Sequence, residues 1–327
     1  MENSSSYKKT NSSFAENGSF AQNSGRAANG GSRNGNTGGT EKKGGSYMEQ
    51  FWLTYKSKPG SLIVRILVLL SAVITTAVLF ALIIYILAKG VVNLKPELFA
   101  WEYNTDNMSM MPAIISTIYI TVLTLLMAVP TGIFSAIYLV EYAKRGSKLV
   151  KVIRTTTETL QGIPSIVYGL FGYILFVITL GWSYSLLAGA VTLAIMILPL
   201  IIRTTEEALI SVPDSYREGS FGLGAGKLRT VFRIILPSAV PGILAGVILA
   251  IGRIVGESAA LIFTAGTVAQ VPGSLFDSAR TLSVHMYALL SEGLYTNEAY
   301  ATAVVLLVLV IIINAVSSFI AKKLATR

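Results

Sequence analysis

The chain contains no cysteine and a single histidine, His285. The first absence excludes disulfide scaffolds, iron–sulfur clusters, thiol chemistry and cysteine-based zinc sites. The second excludes any multi-histidine metal site. Charge is scarce too: 13% of the 327 residues are Asp, Glu, Lys or Arg, about half the roughly 25% usual in soluble domains. Nine of the 43 charges fall in the first 46 residues, so the remainder is more apolar still. A water-soluble globule of this size is excluded, and a polytopic membrane protein with a short polar tail fits.

Residues 1–46 hold nine Gly, nine Ser and seven Asn. Such a segment buries too little apolar surface to offset its ordering entropy and is expected to be disordered. It lacks the apolar core of a signal peptide. The domain division is a disordered cytoplasmic tail and juxtamembrane segment at 1–60 and a six-span domain at 61–327.

Six apolar segments of bilayer length follow, at about 62–88, 112–140, 163–182, 186–202, 242–263 and 303–321. The fold class is an all-α polytopic membrane protein with six transmembrane helices. Residues Trp182-Ser183-Tyr184-Ser185 make a tight aromatic hairpin between the third and fourth spans. Pro130 is expected to kink the second.

Basic residues orient the bundle. The tail, loops 141–160 and 203–241 and the C-terminus together carry 22 Lys and Arg, and the alternate loops carry three: Lys89, Lys95 and Arg280. Both termini are therefore expected in the cytoplasm. The net charge of +9 is an orientation code, not a nucleic-acid footprint.

Loop 203–241 has two short amphipathic stretches, about 213–223 and 227–236, joined by Gly222-x-Gly224-x-Gly226. Pro237 and Pro241 are expected to end the second stretch. Mixed acids and bases on these stretches suit a protein groove better than anionic lipid. Gly224-Ala225-Gly226-Lys227 is not a phosphate-binding loop: Phe221 stands where that motif has Gly, and Leu228 where it has Ser or Thr. Glu206-Glu207 is not read as a paired-carboxylate site, because adjacent helical residues face different ways.

Arg253 falls inside the fifth span, where a charge is costly and functional by default. Glu257, four residues on, is expected on the same helix face. That pair is either a self-neutralising bridge or part of an oxyanion pathway, the guanidinium offering planar paired donors. Gly242-x-x-x-Gly246 and Gly252-x-x-x-Gly256 would allow close helix contacts. His285 is read as a solvated or packed loop residue, and Met108-Ser-Met-Met-Pro112 as span packing.

Glu218-Gly219-Ser220 is followed three residues later by Gly224, then nine later by Ile234-Ile235-Leu236-Pro237. This spacing resembles the EAA loop of ABC importer permeases. Residues 158–172 (Glu-Thr-Leu-Gln-Gly-Ile-Pro-Ser-Ile-Val-Tyr-Gly-Leu-Phe-Gly) and 252–266, with Gly256-Glu257-Ser258-Ala259-Ala260-Leu261, resemble phosphate permeases of the PstA type. The resemblance covers about 60–327 and implies a type I ABC importer permease. Loop 203–241 would be the ATPase coupling loop, with Glu218, Gly219, Ser220, Gly224, Ile234, Leu236 and Pro237 as its motif residues. Gly219 and Ser220 replace two alanines, keeping the small size that close approach to a partner requires. Arg253, Glu257 and Ser258 would lie on the substrate pathway.

The implied function is a subunit of an ATP-driven phosphate importer in a bacterial or archaeal plasma membrane. No cofactor or metal is expected on the chain, and no catalysis; ATP would be bound by a partner ATPase dimer. Other implied partners are a PstC-type permease, an extracytoplasmic phosphate-binding protein, phosphate and membrane lipid. The alternatives are a permease for sulfate or molybdate, an intramembrane enzyme, or a non-ABC channel or secondary carrier. Glu257 as the lone acid within a span speaks against the enzyme.

Overall fold

The computed structural model describes residues 59–144 and 146–325. The tail expected to be disordered lies outside the described residues. The chain divides into two units, Met1–Val68 and Leu69–Arg327. In the first, the described residues are the opening turns of a helix.

The helices are α1 (Pro59–Val92), α2 (Met111–Ile137), α3 (Lys148–Gln161), α4 (Ser165–Gly172), α5 (Leu186–Ile210), α6 (Asp214–Gly222), α7 (Lys227–Thr230), α8 (Leu236–Val255), α9 (Ala259–Thr264), α10 (Leu282–Glu292) and α11 (Thr296–Ala325). Three π-helical turns extend them: Tyr138–Tyr142 after α2, Tyr173–Thr179 after α4, and Val231–Ile235 between α7 and α8. Among the described residues five helical runs are long and apolar enough to cross a membrane, and six when the bent pair Lys148–Gln161 and Ser165–Thr179 is counted as one span. The six-span expectation is met, with three departures.

The third span is bent. Lys148–Gln161 and Ser165–Thr179 meet at 103°, and the break falls at Gly162-Ile163-Pro164. Proline disfavours a helical conformation in the residue before it, so the helix stops at Gln161 and restarts beyond Pro164. The loop expected at 141–160 is therefore largely helical. Its α3 exposes Leu149 and Val152 beside Lys148 and Lys151, an amphipathic pattern suited to a membrane surface.

Pro237 and Pro241 do not end the helix from loop 203–241. It continues from Lys227 to Val255. Pro237 follows directly on the π turn Val231–Ile235, where the hydrogen-bond register already slips and the missing donor is tolerated. Ser238 donates its hydroxyl to the Ile234 carbonyl at 2.7 Å.

The fifth span is broken. α8 ends at Val255, Gly256-Glu257-Ser258 leave the helix, and α9 resumes at Ala259. Both prolines inside α2 and α5, Pro130 and Pro199, lie within continuous helices.

Ile120, Leu193, Met196, Ile197, Ile254 and Leu261 form the central core, where α2, α5, α8 and α9 meet. A second cluster, with Ile137, Leu209, Val212, Val231, Ile235 and Ile243, closes the end that carries loop 203–241. A third gathers Met108, Met110, Leu282 and Leu289 at the opposite end, so the methionine run packs as expected. The hairpin after the third span is aromatic as foreseen: Trp182 stacks on Phe176 at 5.3 Å, and Tyr184 on Tyr173 at 5.8 Å.

Candidate functional site: the broken fifth span and the 203–241 loop

Arg253 lies in the last turn of α8. A cation is favoured there by the partial negative charge of the terminal carbonyls. Glu257 lies beyond the helix end and turns the other way: its Oε1 accepts the Ala260 N–H at 3.1 Å, capping α9. The expected Arg253–Glu257 pair on one helix face is thus not formed, because Gly256 ends the helix before its next turn. Glu257 is bonded by the start of α9, and Arg253 is left at the C-terminal end of α8. Glu257 is buried, at 9% exposure, whereas Arg253 is half-buried with no carboxylate in ion-pair distance among the described residues.

The break is held from two sides. Ser283, near the start of α10, donates to the Glu257 carbonyl at 2.5 Å, and the Leu282 N–H donates to Thr117 of α2 at 2.9 Å. On the other side stands α4. A β-carbon on Gly169 would lie 2.8 Å from the Ala260 backbone, and one on Gly172 would lie 2.8 Å from Thr264. The Tyr168 hydroxyl on α4 donates to the Leu160 carbonyl at 2.9 Å. The 158–172 and 252–266 stretches, separate in sequence, pack against each other here. Ser258 begins α9 without a side-chain cap bond.

The four glycines of the fifth helix differ. Gly246 is pressed against Thr204, and a β-carbon on Gly242 would lie 2.8 Å from that of Ala208. Gly252 faces open space, and Gly256 meets only its own helix. The first pair makes a close helix contact as expected; within this chain the second does not, so Gly252, Arg253 and Gly256 form an uncovered face.

In loop 203–241, α6 ends in a Schellman turn. Gly224 adopts φ +79°; its N–H reaches the Phe221 carbonyl at 2.9 Å, and the Ala225 N–H the Ser220 carbonyl at 3.1 Å. A left-handed residue at this position explains the motif glycine. Ser220 is buried and bonds Thr230 at 2.8 Å. Its small size serves the contact between α6 and α7. Gly219 has open space around it, and Glu218 is exposed. Ile234 and Leu236 pack on the second cluster, while Pro237 is exposed. Tyr216, Phe221, Leu223 and Leu228 present an apolar surface, Leu223 at 91% exposure.

Three features escaped the sequence reading. Arg217 is a hub: its Nε and Nη2 donate to Glu141 at 3.1 and 2.7 Å, its Nη1 to Asp214 at 3.1 Å, and further bonds reach the Leu209 and Val212 carbonyls at 3.0 and 2.9 Å. Glu206 pairs with Arg154 at 2.7 Å and Glu207 with Arg203 at 3.1 Å, so those adjacent acids diverge as expected but are paired. His285 is fully buried, its Nδ1 3.4 Å from the Arg280 guanidinium and its Nε2 without a partner among the described residues. Burial, then the Arg280 charge, push its pKa down to about 4, against the Met108 backbone. Arg280 itself stacks over Tyr103 at 5.4 Å.

A helical bundle of this kind, with a loop between its fourth and fifth spans, defines a polytopic membrane protein. The fold is similar to the bacterial alginate ABC transporter in complex with alginate pentasaccharide-bound periplasmic protein. The TM-score is 0.62 and the identity 15%, over 84% of this chain and 98% of that one. It is also similar to the MetNI methionine ABC transporter in inward facing conformations, with TM-score 0.51 and 20% identity over 66% and 94% of the two chains. At such identities the likeness shows the fold alone.

Residues 128–327 match the family of binding-protein-dependent transport system inner membrane components, and the chain belongs to that family. It is 35% identical over 268 residues to the probable ABC transporter permease protein YqgI of Bacillus subtilis (strain 168), covering 75% of this chain and 89% of that protein. It is 44% identical over 191 residues to the phosphate transport system permease protein PstA of Pasteurella multocida (strain Pm70), covering 58% and 66%. With PstA of Mycobacterium leprae (strain TN) the figures are 37% over 196 residues, 59% and 64%. The family and the apolar helices make the chain a multi-pass subunit of the inner membrane.

Proposed function

We propose that this permease subunit forms half of the translocation pathway of an ATP-driven phosphate importer. The observation that carries the reading is Arg253. It stands at a break in a membrane helix, half-buried, with no carboxylate in ion-pair distance among the described residues and with Gly252 and Gly256 beside it uncovered by any other helix. Broken helices whose termini meet inside a membrane are where transporters bind ions. A guanidinium presents forked N–H donors that match a tetrahedral oxyanion. The similarity to PstA proteins selects phosphate among such anions.

The uncovered face around Gly252, Arg253 and Gly256 is turned toward a related permease, and the two subunits enclose the path between them. Glu257 is spent on capping α9, so it leaves the Arg253 charge free for substrate while fixing the shape of the break. The Ser258 hydroxyl at the start of α9 adds a donor beside it. A binding protein delivers phosphate at the 264–302 side. A separate ATPase dimer docks on the apolar surface of Tyr216, Phe221, Leu223 and Leu228, with Glu218 among them. ATP-driven closure of that dimer moves α6 and reorients the spans. Loop 203–241 and both termini lie in the cytoplasm, a reading that the 22 clustered bases support.

The test is uptake of radiolabelled phosphate into vesicles holding this chain with its second permease, ATPase and binding protein. Uptake that needs internal ATP and resists excess sulfate or molybdate is the expected result. Uptake without ATP supports a secondary carrier. Competition by sulfate or molybdate supports the other oxyanions.

A further inference from the structure

We propose that the Arg217–Glu141 ion pair is the link by which movement of α6 is delivered to the second span. Arg217 is then a positioning residue for coupling and Glu141 its anchor. The inference rests on the permease reading above and adds to it the path that the motion takes.

Arg217 sits midway along α6, one residue before Glu218. Its guanidinium grips one Glu141 oxygen with two donors and takes the Leu209 and Val212 carbonyls with others. Glu141 belongs to the π turn that ends the second span, and Leu209 to the last turn of the fourth. One side chain therefore fastens the external helix to two spans. Both partners are shielded, with side-chain exposures of 17% for Arg217 and 9% for Glu141, so water screens the pair weakly. Four directed bonds from one planar guanidinium to groups outside α6 resist both sliding and rotation, unlike the Ser220–Thr230 bond that ties α6 to α7.

The fastening point is also where the span can yield. Glu141 lies within a π turn, and the helix leaving the loop begins with another at Val231–Ile235. Such turns hold a helix register that differs from its flanks. A pull on Glu141 acts where the second span is least regular, and the span's regular portion carries it through the central core to Leu193 and Ile254. The chain's lack of cysteine makes the link directly testable, because any introduced thiol is unique. A cavity of about 590 Å³, lined by Glu141, Arg217, Lys144 and Lys227, gives reagents access to the pair.

The experiment uses the complete complex with Glu141→Gln, and with Glu141→Cys plus Arg217→Cys bridged by a short bis-methanethiosulfonate, each cysteine thiolate forming a disulfide as methanesulfinate leaves. The readouts are co-purification of the ATPase, the hydrolysis rate, and phosphate imported per ATP. Glu141→Gln and the unbridged cysteine pair are expected to keep the ATPase and its hydrolysis but to import about tenfold less phosphate per ATP, the size of a typical coupling energy. Bridging is expected to restore import per ATP to within about twofold of wild type on the same scale. An unchanged ratio in Glu141→Gln, or no recovery on bridging, overturns the proposal. Loss of the ATPase from every variant also overturns it, making the pair a fold fastening only. Absence of ATP-dependent uptake by the wild-type complex sinks the permease reading instead.

Discussion

Two arginines of this chain occupy opposite environments. Arg217, outside the spanning helices, is held by two carboxylates and two carbonyls. Arg253, inside a span, has no acid partner among the described residues, and the acid expected to serve it caps a different helix. Simple electrostatics would predict the reverse, since an unpaired charge costs more in the apolar interior than near water. On the two roles proposed above, the inversion separates two tasks. A charge that must transmit force needs all its donors fixed, whereas a charge that must bind and release an anion needs them free.

The comparison can be broken most forcefully at the paired end. Arg217→Ala leaves Glu141 buried without a counter-charge, and removing one member of such a pair costs about 3–5 kcal/mol. Thermal unfolding of the purified chain should show a loss of that order. A loss near zero would mean that the hub is solvated and that the contrast with Arg253 is one of degree.

A second probe is His285, buried beside Arg280 at the far end. Its pKa lies near 4 in the fold against about 6.5 in an unfolded chain. Between those values the unfolded state binds the extra proton, so stability falls as pH drops from about 6.5 toward 4, by on the order of 3 kcal/mol in full. His285→Gln should flatten that part of the pH–stability curve. An unchanged slope would assign the acid sensitivity to other groups.

The smallest effects distinguish the glycines around the same break. Gly246→Ala drives a methyl into Thr204 and should destabilise by about 1–3 kcal/mol. Gly252→Ala meets open space and should stabilise the isolated chain by up to about 1 kcal/mol through helix propensity. If both behave alike in thermal unfolding, the uncovered face around Arg253 is not uncovered.

Much of the fold was legible from sequence because bilayer length and apolar runs leave few choices: all six segments lie in or overlap spans. Loop 203–241 was legible in its spacing, and the left-handed Gly224 gives that spacing a physical basis. What the pattern hid were interruptions. The third span was started correctly beside Gly162-Ile163-Pro164, but the helix before that break was read as loop, while Pro237 was read as a stop although the nearby π turn absorbs it. The Gly256 break erased an i, i+4 pair that assumed a continuous helix. Glu141 and Arg217 are 76 residues apart, and no local periodicity joins them; the one hint was a carboxylate at the edge of a basic loop. Buried His285 gave no signal, since a lone histidine reads the same packed or solvated.

The most direct test of the central claim is phosphate uptake by the assembled complex carrying Arg253→Gln, a shorter, neutral side chain that keeps an N–H donor. The account predicts that the complex still assembles and hydrolyses ATP while uptake falls by about a hundredfold, roughly the 2.7 kcal/mol of a charge-assisted contact pair. Uptake at the wild-type rate would contradict it and leave the unpaired arginine a structural residue.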